Sequence, residues 1–204
     1  MGSSITKEDA LSIVFNAAKK YHENLINRNL LFICTDKHRH ITTLEVSFPA
    51  SSFYHLTGFV VDENAISQTD FFHRCLNKRL RLDDFEFNPD GTTPLKMQVL
   101  PFLFDKHLNA KMIGDYNNRR PKLYTEKLAG NIKGALGFVR NGGVGRYVPN
   151  TVLKGDMRDD VNGTLRIIAT FRKSLDESAY RELVYLAKEV VLSDYQLPEY
   201  VIIE

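Results

Sequence analysis

Cysteine is scarce in this chain. Cys34 and Cys75 are the only two, far apart and outside any C-x-x-C spacing. A reduced compartment with two buried thiols is the simplest account, and a cysteine-built zinc site is close to excluded. Tryptophan is absent, which excludes nothing specific. No apolar run approaches the length of a membrane span, so neither a transmembrane helix nor a membrane partner is expected. The first ten residues are polar and acidic and show no signal peptide, so the expected location is the cytoplasm. Met1 to Thr6 fits the loose myristoylation pattern, but nothing else in the chain supports it. Nucleotide-binding loops are missing too. Gly130, Gly134, Gly137, Gly142, Gly143 and Gly145 form neither G-x-G-x-x-G nor a Gly-Lys-Ser/Thr ending. Turns and close strand packing explain these glycines better, so kinase and dehydrogenase chemistry have no footing and no cofactor is expected.

What is present suffices for a core: 204 residues, 43% hydrophobic and 11% aromatic. The expected organisation is one domain over 1–204, helical from about 6–113 and β-rich from 121–204. Leu11, Val14, Phe15, Ala18, Tyr21 and Leu25 share a helical stripe, predicting a helix from Thr6 to Asn27 with Thr6 as cap. Leu30–Thr35 and Ile41–Phe48 read as a hairpin around the polar turn Asp36–His40. A second helix is expected over Gln68–Arg81, and a third helical region over Thr92–Ile113, bent or split at Pro101. Lys122–Thr125, Ala135–Arg140, Arg146–Val148 and Leu165–Phe171 read as strands, with turns at Asn141-Gly142 and Asn162-Gly163. Ser178–Lys188 reads as an amphipathic helix and Tyr200–Ile203 as an edge strand. Helices first and strands later predict an α+β fold, with a mostly antiparallel sheet.

Charge is unevenly placed. Lys106 to Lys154 holds ten Lys/Arg against Asp115 and Glu126, a local +8 in a chain of net +2. Such asymmetry suits a surface that meets a polyanion, nucleic acid first of all. The alternative is pairing with acids elsewhere. The segment from Lys173 to Glu204 nets −4 and is one such source.

Four groups of residues carry candidate chemistry. His38 and His40, two apart beside Asp36, could share a face for a metal, but no third ligand is evident and a polar turn is the plainer account. His22 and His73 read as packed histidines, and His107 as the cation at a helix end. His55 stands in an apolar segment directly before Thr57-Gly58, where a tight turn can hold an imidazole at a cleft for acid–base work; a core histidine is the alternative. In Lys111–Lys127, basic residues alternate with Tyr116, Asn117, Arg119 and Tyr124, a pattern suited to unpaired RNA. In Tyr147–Arg158, Pro149 ends a strand and Asn150 and Thr151 offer hydrogen-bonding groups. Lys154 and Arg158 follow at helical spacing, as two cations for a phosphate. For these two stretches the alternatives are a soluble loop and a capped turn balanced by Asp156 and Asp160.

At these residues the chain resembles a known family. Phe53–Gly58 (FYHLTG), Lys111–Asn117 (KMIGDYN), Tyr124–Asn131 (YTEKLAGN) and Tyr147–Lys154 (YVPNTVLK) are similar to motifs of a phage- and prophage-encoded family. That family is assigned to the barnase, EndoU, colicin and RelE-like ribonuclease superfamily. The resemblance spans the first helix to about Lys173. It implies N-terminal helices packed on a twisted, mostly antiparallel sheet of barnase/RelE type, and metal-independent RNA cleavage in a bacterial host cell. The 2′-hydroxyl would attack the neighbouring phosphorus. His55 would be base or acid, with Lys127, Thr151 and Lys154 completing the catalytic set. Lys111, Tyr116, Asn117, Arg119, Tyr124, Asn150 and Arg158 would bind substrate, and no metal would be held. RNA is the expected partner. The alternative is a catalytically inactive phage protein that binds nucleic acid or a host defence protein. The oligomeric state stays open.

Overall fold

The computed structural model describes residues 5–119, 122–142 and 145–203. Met1–Ser4 of the myristoylation pattern, Arg120 and Pro121 of the basic loop, Gly143 and Glu204 lie outside the described residues.

The chain is α+β, with four α-helices and a large mixed sheet among the described residues. Helix α1, Lys7–Asn24, starts with a capping box: Thr6 Oγ1 accepts the Asp9 N–H at 3.1 Å and the Asp9 carboxylate accepts the Thr6 N–H. It stops before the expected Asn27, which takes φ 58° and turns the chain into strand β1, Arg28–Thr35. Strand β2, Ile41–Ser47, completes the expected hairpin. Phe53–Thr57 lies in a short helix α2, Ser52–Thr57.

A two-strand ribbon, β3 (Phe59–Val60) and β4 (Glu86–Phe87), flanks α3, Gln68–Leu76. Helix α3 ends short of Arg81 because Lys78 adopts φ 55°. Helix α4, Thr92–Leu103, contains Pro101 near its end. The helical region expected to reach Ile113 stops here. Asp105 accepts the N–H groups of His107 and Asn109, Leu108 and Asn109 take positive φ, and Met112–Asp115 is strand β5. His107 therefore ends no helix; its ring stacks on Tyr185, centroids 5.0 Å apart.

Strands β6 (Lys127–Gly130), β7 (Gly134–Arg140) and β8 (Tyr147–Lys154) follow. The expected strand at Lys122–Thr125 is absent, because Thr125 and Tyr124 are bonded to the Asn150 side chain instead of to a neighbouring strand. Pro149 does not end β8 but sits within it, opposite Phe138. Strand β9, Leu165–Ser174, is the longest. The amphipathic helix expected over Ser178–Lys188 is instead strand β10, Glu182–Leu186. Its apolar residues satisfy either period, and the part of β9 beyond β5 offers a free edge to which Arg172 and Glu182 lock the register. Tyr200–Ile203 does not join the large sheet; Val201 bridges Tyr180 in parallel.

The sheet runs β1-β2-β8-β7-β6-β5-β9-β10, and β1 also pairs with β9. The ladder therefore returns on itself. Its pairings are antiparallel except for β2 with β8, joined in parallel at Val46 and Tyr147.

The four helices cover the face bearing Leu30, Phe32, Val46, Leu136, Phe138 and Val152. Tyr21 lies at the centre of this core, edge-on to Phe48, Phe53, Phe72 and Phe104 at centroid distances of 5.2 to 6.0 Å, with its hydroxyl donating to the Pro49 carbonyl. On the opposite face, Leu31, Ile33, Ile168 and Phe171 are covered by Tyr180, Val190 and Leu192. A third cluster joins Tyr116, Leu128, Ala135, Met157 and Val161. No described helix is long and apolar enough to cross a membrane.

Candidate functional site

Three of the four motif segments converge on one cleft of about 390 Å³. It is lined by His55 with Ser51 and Ser52, by Tyr124, by Val148, Pro149 and Asn150, and by Gln68 and Val139. His55 lies on the last turn of α2 with its side chain exposed. The turn is fixed locally. Thr57 Oγ1 donates to the Tyr54 carbonyl at 2.9 Å and accepts the Phe59 N–H at 3.1 Å, while Gly58 takes φ 72° as the left-handed helix end. From α4, Lys96 Nζ donates to the His55 carbonyl at 2.8 Å, placing a cation at the negative end of the short helix. Burial lowers the Lys96 pKa to about 8, against a weaker opposing pull from Asp90.

The other wall depends on a β-bulge. Gly137 pairs with Thr151 and Phe138 with Pro149, leaving Asn150 as the extra residue. Released from the ladder, the Asn150 amide donates to the Tyr124 carbonyl, and its Oδ1 accepts Thr125 Oγ1 at 2.6 Å. Gly137 makes this possible. A Cβ there would stand 2.6 Å from both Thr125 Oγ1 and Thr151 Cγ2. Tyr124 is held through its backbone, and its ring stays 84% exposed, free to stack on a planar ligand.

The remaining sequence candidates lie elsewhere. Thr151 is buried beside Thr125 and does not line the cleft. Lys127 faces Asp115 across the β5–β6 ladder and forms an ion pair with it. Lys154 ends β8 and donates to Gln98 of α4 at 2.5 Å. The helical spacing expected for Lys154 and Arg158 is not realised. Lys154 is in a strand, while Arg158 is in a 3-10 turn, paired with Asp156 at 2.5 Å. Tyr116 is 5% exposed and belongs to the third core cluster. Burial, with the charge of Asp160, raises its pKa. Asn117 bonds the carbonyl of Asp159 through its side-chain amide and the Arg119 N–H through its oxygen. Lys111 lies 3.9 Å from the centroid of the Tyr185 ring.

Lys111 and Arg158 meet in a different groove, described below. His38 and His40 have neighbouring rings, and His40 Nδ1 lies 3.1 Å from Asp36. No group of three or more His, Cys, Asp or Glu suited to a metal occurs among the described residues. His22 and His73, expected to be packed, are exposed.

Sequence reasoning left Ser51, Ser52 and Gln68 out of the cleft, and Thr125 and Lys96 out of its support. Thr125 stands inside the motif Tyr124–Asn131, so its signal was present. Lys96 had none: only the packing of α4 against α2 brings it to His55.

The α+β chain thus brings an imidazole, an amide and an open tyrosine to one cleft beside its sheet. The chain belongs to PBECR4, the phage-Barnase-EndoU-ColicinE5/D-RelE like nuclease4 family, which matches residues 13–189. No curated protein and no solved structure gives a significant match.

Proposed function

We propose that this protein is a phage-derived endoribonuclease of barnase-like architecture that cleaves RNA without a metal. The observation that carries this reading is the convergence of His55, Tyr124 and Asn150, from three separate motif segments, on one open cleft. In the reaction His55 takes the 2′-hydroxyl proton as the 2′-oxygen attacks phosphorus. The new O2′–P bond forms, the P–O5′ bond breaks, and the protonated imidazole supplies the proton that leaves with the 5′-oxygen. The products are a 2′,3′-cyclic phosphate and a 5′-hydroxyl. The Asn150 amide, held by the Thr125 hydroxyl behind it, orients the phosphate, and a base flanking the scissile bond stacks on Tyr124. Lys96 acts as a positioning residue, through the His55 carbonyl. Thr151 supports Thr125 from behind. Lys127 is neutralised by Asp115, while Lys154 is held by the neutral Gln98, so in this reading Lys154 contributes long-range positive potential and neither makes a direct contact.

The test is incubation of the purified protein with mixed RNA in EDTA, beside His55→Ala. Fragments ending in 2′,3′-cyclic phosphate are expected, with a rate about 10² to 10⁴ lower in the variant. Intact RNA with the unaltered protein overturns the assignment. Full activity in His55→Ala removes His55 from the mechanism.

A further inference from the structure

A second groove, of about 560 Å³, collects cations from four parts of the chain: Lys37 and Arg39 from the β1–β2 turn, Lys111 ahead of β5, Arg158 from the turn after β8, and Arg166 on β9. All five are exposed. We propose that this groove binds the phosphate backbone of a single-stranded RNA, at a distance from the cleft that cuts it.

The five cations outnumber the three acids beside them, Asp36, Asp156 and Asp194, and the excess charges repel one another across the open groove. Folding does not favour that arrangement, whereas a polyanion does, because a concave surface focuses the field of its charges. The side chains are held ready. Arg39 lies over the Tyr195 ring at 4.8 Å and 3.6 Å from Asp194; Arg158 is clamped by Asp156; Arg166 donates to the Lys188 carbonyl at 3.0 Å; Lys111 rests on Tyr185. One carboxylate, Asp36, lines the groove, and it is engaged within its own turn by the N–H groups of His38 and His40 and by the His40 ring. Lys37, Lys111 and Arg166 form no carboxylate ion pair among the described residues. The Thr164 hydroxyl and the Tyr195 ring add the neutral contacts that a nucleic-acid strand uses and a simple polyanion does not need.

The groove and the His55 cleft lie beyond opposite ends of β2, whose seven residues at about 3.3 Å each separate them by roughly 20 Å. An RNA touching both is therefore at least about six stacked nucleotides long, at about 3.4 Å each. The proposal rests on the ribonuclease reading for the identity of its strand, and it makes the substrate an extended single strand rather than a dinucleotide.

The test uses the full chain carrying His55→Ala, so that RNA stays intact, and fluorescence anisotropy of a fluorescein-labelled oligouridylate over a series of salt concentrations. Adding Lys37→Ala and Arg166→Ala is expected to weaken binding about tenfold and to make the log–log salt slope shallower by about 1.4, near 0.7 for each lost phosphate contact. Restoring charge with Lys37→Arg and Arg166→Lys is expected to recover most of the affinity. Lys37→Ala alone, on an exposed turn, serves if the double variant does not fold, with half the change in slope. Unchanged affinity and slope overturn the proposal. Displacement of the RNA by polyglutamate at equal charge concentration also overturns it, in favour of an acidic polypeptide. The two readings fail separately. RNA left uncut by the unaltered protein, with the slope change intact, removes the nuclease and keeps the groove; cleavage with an unchanged slope does the reverse.

Discussion

Gly137 is the residue on which the cleft wall turns. Its missing side chain is the space that Thr125 and Thr151 occupy, and a Cβ would approach both to 2.6 Å. Thr151 is on a paired strand and cannot retreat, so the added methyl must push Thr125 and loosen its bond to Asn150. Gly137→Ala is expected to cost about 1 to 3 kcal/mol in urea unfolding, as overpacking does. Under the proposed ribonuclease function, its effect on RNA cleavage should exceed what that loss of folded protein explains, because the Asn150 pair moves with it. Activity unchanged at full occupancy of the folded state would separate the Thr125–Asn150 pair from catalysis. The glycine was visible in the sequence as a packing residue, but what it packs against was not: the two threonines stand far from it along the chain.

At the scale of elements, β10 shows where a local pattern is outvoted. Leu183, Val184 and Leu186 fit a helical stripe and a strand about equally, and the choice falls to β9, whose outer edge is free beyond Arg166. The Arg172 guanidinium, 8% exposed, meets the Glu182 carboxylate with two bonds at 2.5 and 2.7 Å. The hydrogen bonds from Arg172 hold the Glu182 carboxyl below its usual range against partial desolvation. Glu182→Ala leaves that buried cation with the Asn24 carbonyl and little else. The expected destabilisation is about 1 to 2 kcal/mol by urea unfolding, discounted from the fully buried case because Glu182 is 46% exposed. A variant as stable as the parent would mean that β10 is held by Tyr185 and its apolar neighbours alone. The first helix and the β1–β2 hairpin met no such conflict. Capping residues, stripe and alternation agreed there, and the expected and observed elements coincide to within a turn.

For the whole molecule, both faces of the sheet carry buried protons. Burial pushes the Cys34 thiol up to about 12 and also raises Cys75 and Tyr21, all in the helix-side core. On the other face Tyr180 is raised by burial and by its hydrogen bond to Glu45. Each group binds its proton more tightly in the folded state. The stabilisation is therefore complete below the unfolded values, near 9 for the thiols and 10 for the tyrosines, and is lost as pH rises through the folded ones. Stability by urea unfolding is expected to fall steeply above pH 9, with both thiols unreactive towards a maleimide until the chain unfolds. Rapid labelling of the native protein at neutral pH would contradict the burial of Cys34 and Cys75.

The same scale shows how far the sequence reaches. By itself it determined the α+β class, the opening helix and hairpin, the buried thiols and the motifs that mark the family, because each depends on residue type and on spacing within one segment. The end of α4, the fate of the segment after Ser178, and the partners of Lys96, Lys127, Lys154 and Tyr116 were decided only in the tertiary structure. So was the place where cations gather. The basic stretch from Lys106 to Lys154 spreads over several strands, while the cationic groove takes Lys37, Arg39, Arg158 and Arg166 from outside it. A linear charge run records the order of residues along the chain. A surface potential depends on their distances in space, and the closing of the sheet sets those distances.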